Sequence, residues 1–161
     1  EFVAAIRKQS GDRKLPWTAL ELEKLEPPLL TNRKQWKLTA SHGADKLNGC
    51  VDGNPKSRYD TGTSQVPGMW IQVELQKASK VNRILLDSKG STRDYPRGYE
   101  VQSSMDGKKW SIPLAKGSGK HPITDIIFPT TEAKYLKITQ TGSVSGLFWS
   151  IHEIQIYGKP I

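Results

Sequence analysis

Between Asn48 and Ser57 the chain reads Asn-Gly-Cys-Val-Asp-Gly-Asn-Pro-Lys-Ser, which sets a carboxylate (Asp52), an amide (Asn54) and a hydroxyl (Ser57) close together. Asp52-Gly53 and Asn54-Pro55 are consecutive turn signals. The Asp and Asn side chains close local turns, Gly53 tolerates positive φ, and Pro55 keeps Asn54 out of the helical region. The backbone therefore curls and turns carbonyls inward. Several oxygens on a pliant loop suit a hard cation such as calcium. The same residues also make an ordinary tight turn closed by Asx hydrogen bonds, and one carboxylate is few for calcium. Taken alone they leave both readings open.

A second set of side chains has the chemistry of recognition. Asp87, Arg93, Asp94, Tyr95 and Arg97 fall within one stretch, a mixture able to hydrogen-bond vicinal hydroxyls. Residues 142–149, Gly-Ser-Val-Ser-Gly-Leu-Phe-Trp, bring large apolar groups up between glycines. A sugar stacks its C–H face on such a ring while fixed polar partners take its hydroxyls. Trp149 and Tyr95 fit that role, and they equally fit the role of capping the end of a core. Catalytic patterns are absent: His42, His121 and His152 stand far apart, Asp87 with Asp94 is the one acid pair in a loop, and no nucleophile-elbow, zinc-helix or phosphate-loop motif occurs. The chain reads as a non-catalytic binding module.

Such loops need a rigid frame. From Trp36 onward short strand runs alternate with turn clusters, at 70–75, 81–86, 99–103, 110–112, 123–128, 135–139 and 151–157. In the first of these Ile71, Val73 and Leu75 share one face. Met105-Asp-Gly107 between two runs is a hairpin signal. Many short strands with Gly and Pro turns predict an all-β sandwich or jelly roll, with recognition at one end in residues 59–67, 87–97 and 141–149. Ahead of it, Phe2 to Gln9 reads as a short helix and Leu15 to Thr31 as a linker able to lie on the domain through Trp17, Leu20 and Leu22. Residues 1–35 are thus the tail of an upstream domain with its linker, and residues 36–161 the binding domain.

Composition narrows the partners. The 161 residues carry 24 Lys and Arg against 16 Asp and Glu, a formal charge of +8. The cations are scattered, without a cluster of the kind nucleic-acid readers show, so no nucleic acid is expected. Long-range attraction to acidic polysaccharide or an anionic membrane surface remains in keeping with that charge. No apolar run is long enough to span a bilayer as a helix. The single Cys50 forms no disulfide within the chain and reads as a small buried hydrophobe.

The segments Leu38–His42, Cys50–Arg58, Gly68–Leu75, Tyr95–Val101 and Trp149–Tyr157, in this order, resemble the discoidin or coagulation factor 5/8 type C domain family, which overlaps with family 32 carbohydrate-binding modules. The resemblance implies an antiparallel eight-stranded jelly-roll β-sandwich. It also implies a structural calcium held by the side chains of Asp52, Asn54, Ser57 and Glu153 with carbonyls near Gly49, Ser57 and His152. An aromatic at Phe148 and an acid at Asp94 match sugar-contacting positions of that family. Its Arg after the middle strand corresponds to Asp87-Ser88 here, and its His has no counterpart at residues 67–70. The implied function is attachment of a larger extracellular or periplasmic protein to a glycan by a monomeric module. The alternative is an adhesion module for a protein or an anionic membrane surface, with Leu147 and Phe148 as a hydrophobic spike.

Overall fold

Two strands of 18 residues each, β3 (Trp70–Asp87) and β6 (Ile123–Gln140), form the frame of the computed structural model, which describes residues 28–161. The expected helix at residues 2–9 and most of the linker lie outside the described residues. The other strands are β1 (Lys37–Ala40), β2 (Tyr59–Asp60), β4 (Tyr99–Ser104), β5 (Ala115–Gly117), β7 (Ser150–Ile151) and β8 (Glu153–Pro160). All pairings are antiparallel: β1, β3, β6, β4 and β5 lie in that order, β8 joins β3, and β2 pairs with β7.

The expected strands at 70–75 and 81–86 are the two halves of β3, and those at 123–128 and 135–139 are the two halves of β6. Gln76-Lys77 and Pro129-Thr130 are the exposed pairs where the alternation breaks, and β3 shifts register against β6 between Glu74 and Ser79. Each long strand thereby passes from one layer of the sandwich to the other. In the first layer β1 and β4 flank the 70–75 and 135–140 halves; in the second β8 flanks 79–87. Ile71, Val73 and Leu75, with their neighbours Leu136 and Ile138, share one core with Ile84, Leu86, Ile126, Ile154 and Ile156 of the second layer. Full burial of such side chains contributes about 1.5–3 kcal/mol each.

One expectation shifts. Trp110 to Ile112 is not a strand: Asp106 accepts the backbone N–H groups of Lys108 and Lys109 and holds a wider turn, so the partner of β4 begins at Ala115. The sheet also reaches ahead of residue 36. Leu29 bridges to Tyr157, Leu30 N–H donates to the Ile156 carbonyl at 2.9 Å, and Gly158 N–H donates to the Pro28 carbonyl at 2.9 Å, so residues 28–30 extend the sheet beyond β8.

Candidate functional site

The three end loops meet on one side chain that carries no charge. Gln65 is fully buried; its Nε2 donates to the carbonyls of Tyr95 (3.1 Å) and Phe148 (2.8 Å), and its Oε1 accepts Arg97 N–H (3.1 Å). Its backbone bonds to Leu147 and Val144 complete the junction. A second buried amide, Gln140, donates to Gln65 Oε1 and accepts the N–H groups of Gly98 and Gly142, both at 2.9 Å. Gly142 is required there, since a Cβ would lie 2.6 Å from Arg97 Cβ. One polar residue inside a Ser/Thr/Gly loop gave no sequence signal for this role. Its only mark is a buried amide with every hydrogen-bonding position filled.

Around this junction the expected residues divide. Arg97 stacks its guanidinium 3.8 Å from the centre of the Tyr95 ring and is held there by a hydrogen bond to the Arg93 backbone carbonyl at 2.7 Å. Phe148 is half-buried and reaches the same junction through its carbonyl. Val66, 46% exposed, and half-buried Leu147 adjoin it. Asp94 turns toward β7: Ser150 Oγ donates to its carboxylate at 2.8 Å, and Arg58 stands 4.0 Å away. Asp87 stands apart, accepting Lys89 N–H at 2.7 Å and lining a groove with Lys89, Lys120, His121 and Glu153 on the outer face of the second layer.

Trp149 corrects the stacking expectation, because it is fully buried and meets the Tyr59 ring edge-on at 6.4 Å. Its backbone N–H donates to Thr61 Oγ1 at 3.1 Å, and Thr61 N–H donates back to its carbonyl at 3.1 Å. Alternation toward Ile151 sends Trp149 inward and leaves Phe148 at the rim.

Arg58 and Lys46 close on Asp60, at 3.2 and 2.7 Å. Burial alone would raise the Asp60 carboxyl, but the Lys46 hydrogen bond and the charges of Lys46 and Arg58 outweigh it and hold the group below its ordinary range. Arg58 also donates to Ser91 Oγ at 2.7 Å; Ser91 lies 2.9 Å from His152 Nε2, while His152 Nδ1 lies 3.0 Å from the Pro55 carbonyl. His152 is therefore a satisfied buried histidine that ties the start of β8 to the 52–57 loop.

That loop is folded by its own side chains. Asp52 accepts Asn54 N–H (2.8 Å) and Ser57 O–H (2.6 Å), which keep its carboxyl below the ordinary range, and Asn54 accepts Lys56 N–H at 3.0 Å. The loop closes where Gly49 meets Arg58, since a Cβ on Gly49 would lie 2.5 Å from the Arg58 carbonyl oxygen. From β8, Glu153 pairs with Arg33, which lines one pocket with Asp52. Burial first, then the negative charges of Glu153 and Asp52, push the Cys50 thiol up to about 12. Among the described residues no three His, Cys, Asp or Glu side chains come together. A cation would rest on two carboxylates with hydroxyl and carbonyl oxygens, a donor set that fits calcium. Asp52, Ser57 and Glu153 would hold it by side chains, with Asn54 shaping the loop and the carbonyls of Gly49, Ser57 and His152 nearby.

A family model described as F5/8 type C domain matches residues 34–154. Galactose oxidase from Gibberella zeae is 25% identical over 138 residues, 78% of this chain; the chain spans 20% of that relative's length. CpGH89CBM32-5 from Clostridium perfringens, solved in complex with GalNAc-β-1,3-galactose, superposes with a TM-score of 0.70 at 20% identity, over 81% of this chain and 99% of that one. Chitosan-binding module 1 from the chitosanase/glucanase of Paenibacillus sp. IK-5 superposes with a TM-score of 0.65 at 28% identity, over 76% of this chain and 93% of that one.

Proposed function

Since this chain belongs to the F5/8 type C domain family, matched over residues 34–154, we propose that it is a non-catalytic carbohydrate-binding module that attaches a larger extracytoplasmic protein to a glycan. The observation that carries this reading is the Gln65 amide, which holds the Tyr95 and Phe148 backbones on a single nitrogen. It sets a half-buried aromatic beside the Tyr95–Arg97 stack on fixed loops, and a rigid platform with an adjoining cation is what a sugar face and its hydroxyls require. Relatives solved with GalNAc-β-1,3-galactose or described as chitosan-binding lend the ligand class. The formal charge of +8 disfavours a polycation such as chitosan and favours a neutral or acidic glycan. The structural calcium belongs to the same reading: Asp52, Ser57 and Glu153 bind it, and it would draw the first loop onto β8.

Shallow sites with one aromatic contact bind weakly, on the order of 0.1–1 mM. A glycan array followed by calorimetry with galactose, GalNAc and an acidic oligosaccharide tests the reading. Binding that is lost in Phe148→Ala and in Asp94→Ala, with the melting temperature kept, supports it; retention of every partner by both variants overturns it. The 46% exposure of Val66 beside Leu147 and Phe148 favours one second reading, insertion of this apolar rim into an anionic membrane surface. That reading requires liposome binding that falls with salt and needs Leu147 but not Asp94.

A further inference from the structure

Arg33 opens a short 3-10 turn (Arg33–Gln35) just before β1, yet its guanidinium reaches to the far end of the sequence. Nη1 forms an ion pair with the Glu153 carboxylate and lies 3.4 Å from the Ile154 carbonyl. The pair is mostly covered, with 20% and 14% of the two side chains exposed. The other guanidinium nitrogen faces the 52–57 loop, 4.0 Å from where a Gly53 Cβ would stand, and Arg33 lines one pocket with Val51, Asp52 and Gly53. One permanent cation thus pairs with the Glu153 carboxylate and turns its other nitrogen toward the loop that carries Asp52.

We propose that Arg33 is a built-in counter-ion of the calcium site, sharing Glu153 with the metal, so that it supports the loop when metal is absent and weakens metal binding when it is present. The inference rests on the calcium reading above. Two cations that share one carboxylate each lower the other's affinity, by the reciprocity that governs any pair of coupled ligands. Arginine suits the role because it keeps its proton at every physiological pH and bonds a carboxylate through a planar fork. Lysine in its place would preserve the charge, and glutamine would remove it.

The test is calorimetric titration of calcium into the metal-free full chain, for the parent, Arg33→Gln, Arg33→Lys and Asp52→Asn, with melting curves in chelator and in calcium. Arg33→Gln should bind calcium at least about tenfold more tightly than the parent, melt lower in chelator and recover more in calcium. Arg33→Lys should stay within about threefold of the parent affinity. Should Arg33→Gln fold only with metal present, its denaturation midpoint against calcium concentration supplies the same affinity, and that dependence itself supports the proposal. Equal or weaker calcium binding by Arg33→Gln overturns the role of Arg33 and leaves the metal reading standing, as does an Arg33→Lys that behaves like the glutamine variant. No calcium binding in either the parent or Arg33→Gln removes the metal reading and the proposal together. Asp52→Asn, expected to lose calcium, reports on the metal reading alone.

Discussion

Replacing Gln65 by Met keeps the length of the side chain and removes all of its hydrogen bonds. Four groups lose a partner: the carbonyls of Tyr95 and Phe148, the Arg97 N–H, and the Gln140 amide. The Tyr95 carbonyl keeps a long contact from Arg97 Nη1 at 3.4 Å, which leaves three groups stranded. A buried polar group without a partner costs about 1–3 kcal/mol, so the gross loss is about 3–9 kcal/mol. The added apolar contact and access of water to opened loops bring the net to about 3–5 kcal/mol. For a domain of this size that lowers the melting temperature by roughly 10–15 °C. Gln65→Glu separates the two ends of the amide: its oxygens still accept from Arg97 and Gln140 but repel the two carbonyls, so the loops at 95 and 148 should open first. Thermal melts with hydrogen exchange on residues 93–97 and 144–149 read both effects. A Gln65→Met protein that melts within about 2 °C of the parent, with those loops equally protected, would refute the reasoning.

Three further outcomes follow from the same structure. Phe148→Ala should cost less than about 1.5 kcal/mol while Trp149→Ala costs about 3–5 kcal/mol, a contrast that denaturant melts of the two variants check directly. Asp52 and Asp60 titrate below their ordinary value of 3.8, and Asp106, held by the Lys109 and Lys108 N–H groups, titrates at about 2. A carboxyl depressed on folding contributes stability above its unfolded value that is lost as pH falls through the folded one, so melting temperature should hold from neutrality to about pH 5 and fall below about pH 4. Asp60→Asn should flatten that fall; an unchanged slope would remove Asp60 as a cause. Excess chelator should lower the melting temperature and added calcium restore it, since a ligand bound by the native state alone stabilises it by mass action.

The strand alternation at Ile71, Val73 and Leu75 is legible because each residue shows its face by its neighbours, and all three are buried. The Asx turns at Asp52 and Asn54 are equally local, and they form as the residues predict. The two adjacent aromatics at 148 and 149 are different. Period-2 alternation makes one of them face the core, but which one depends on the pairing of β7 with β2, a contact between residues far apart in sequence. The same limit hides Gln65, whose partners are backbone groups of loops 30 and 83 residues away. It also hides residues 28–30, whose place beside β8 depends on the last strand of the chain.

The bends of β3 at Gln76-Lys77 and of β6 at Pro129-Thr130 give the domain two poles. Pro28 is bonded to Gly158, and Ile161 N–H donates to the Ala78 carbonyl at 2.9 Å, so both boundaries of the described chain lie at the pole of the bends, away from the junction around Gln65. A pull applied through Pro28 and Ile161 is borne first by the short ladder along β8 and the edge of β3. Under the proposed function, tension between a glycan at the loops and a neighbour joined at the opposite pole would instead run lengthwise through β3 and β6, loading their hydrogen bonds in shear, all at once.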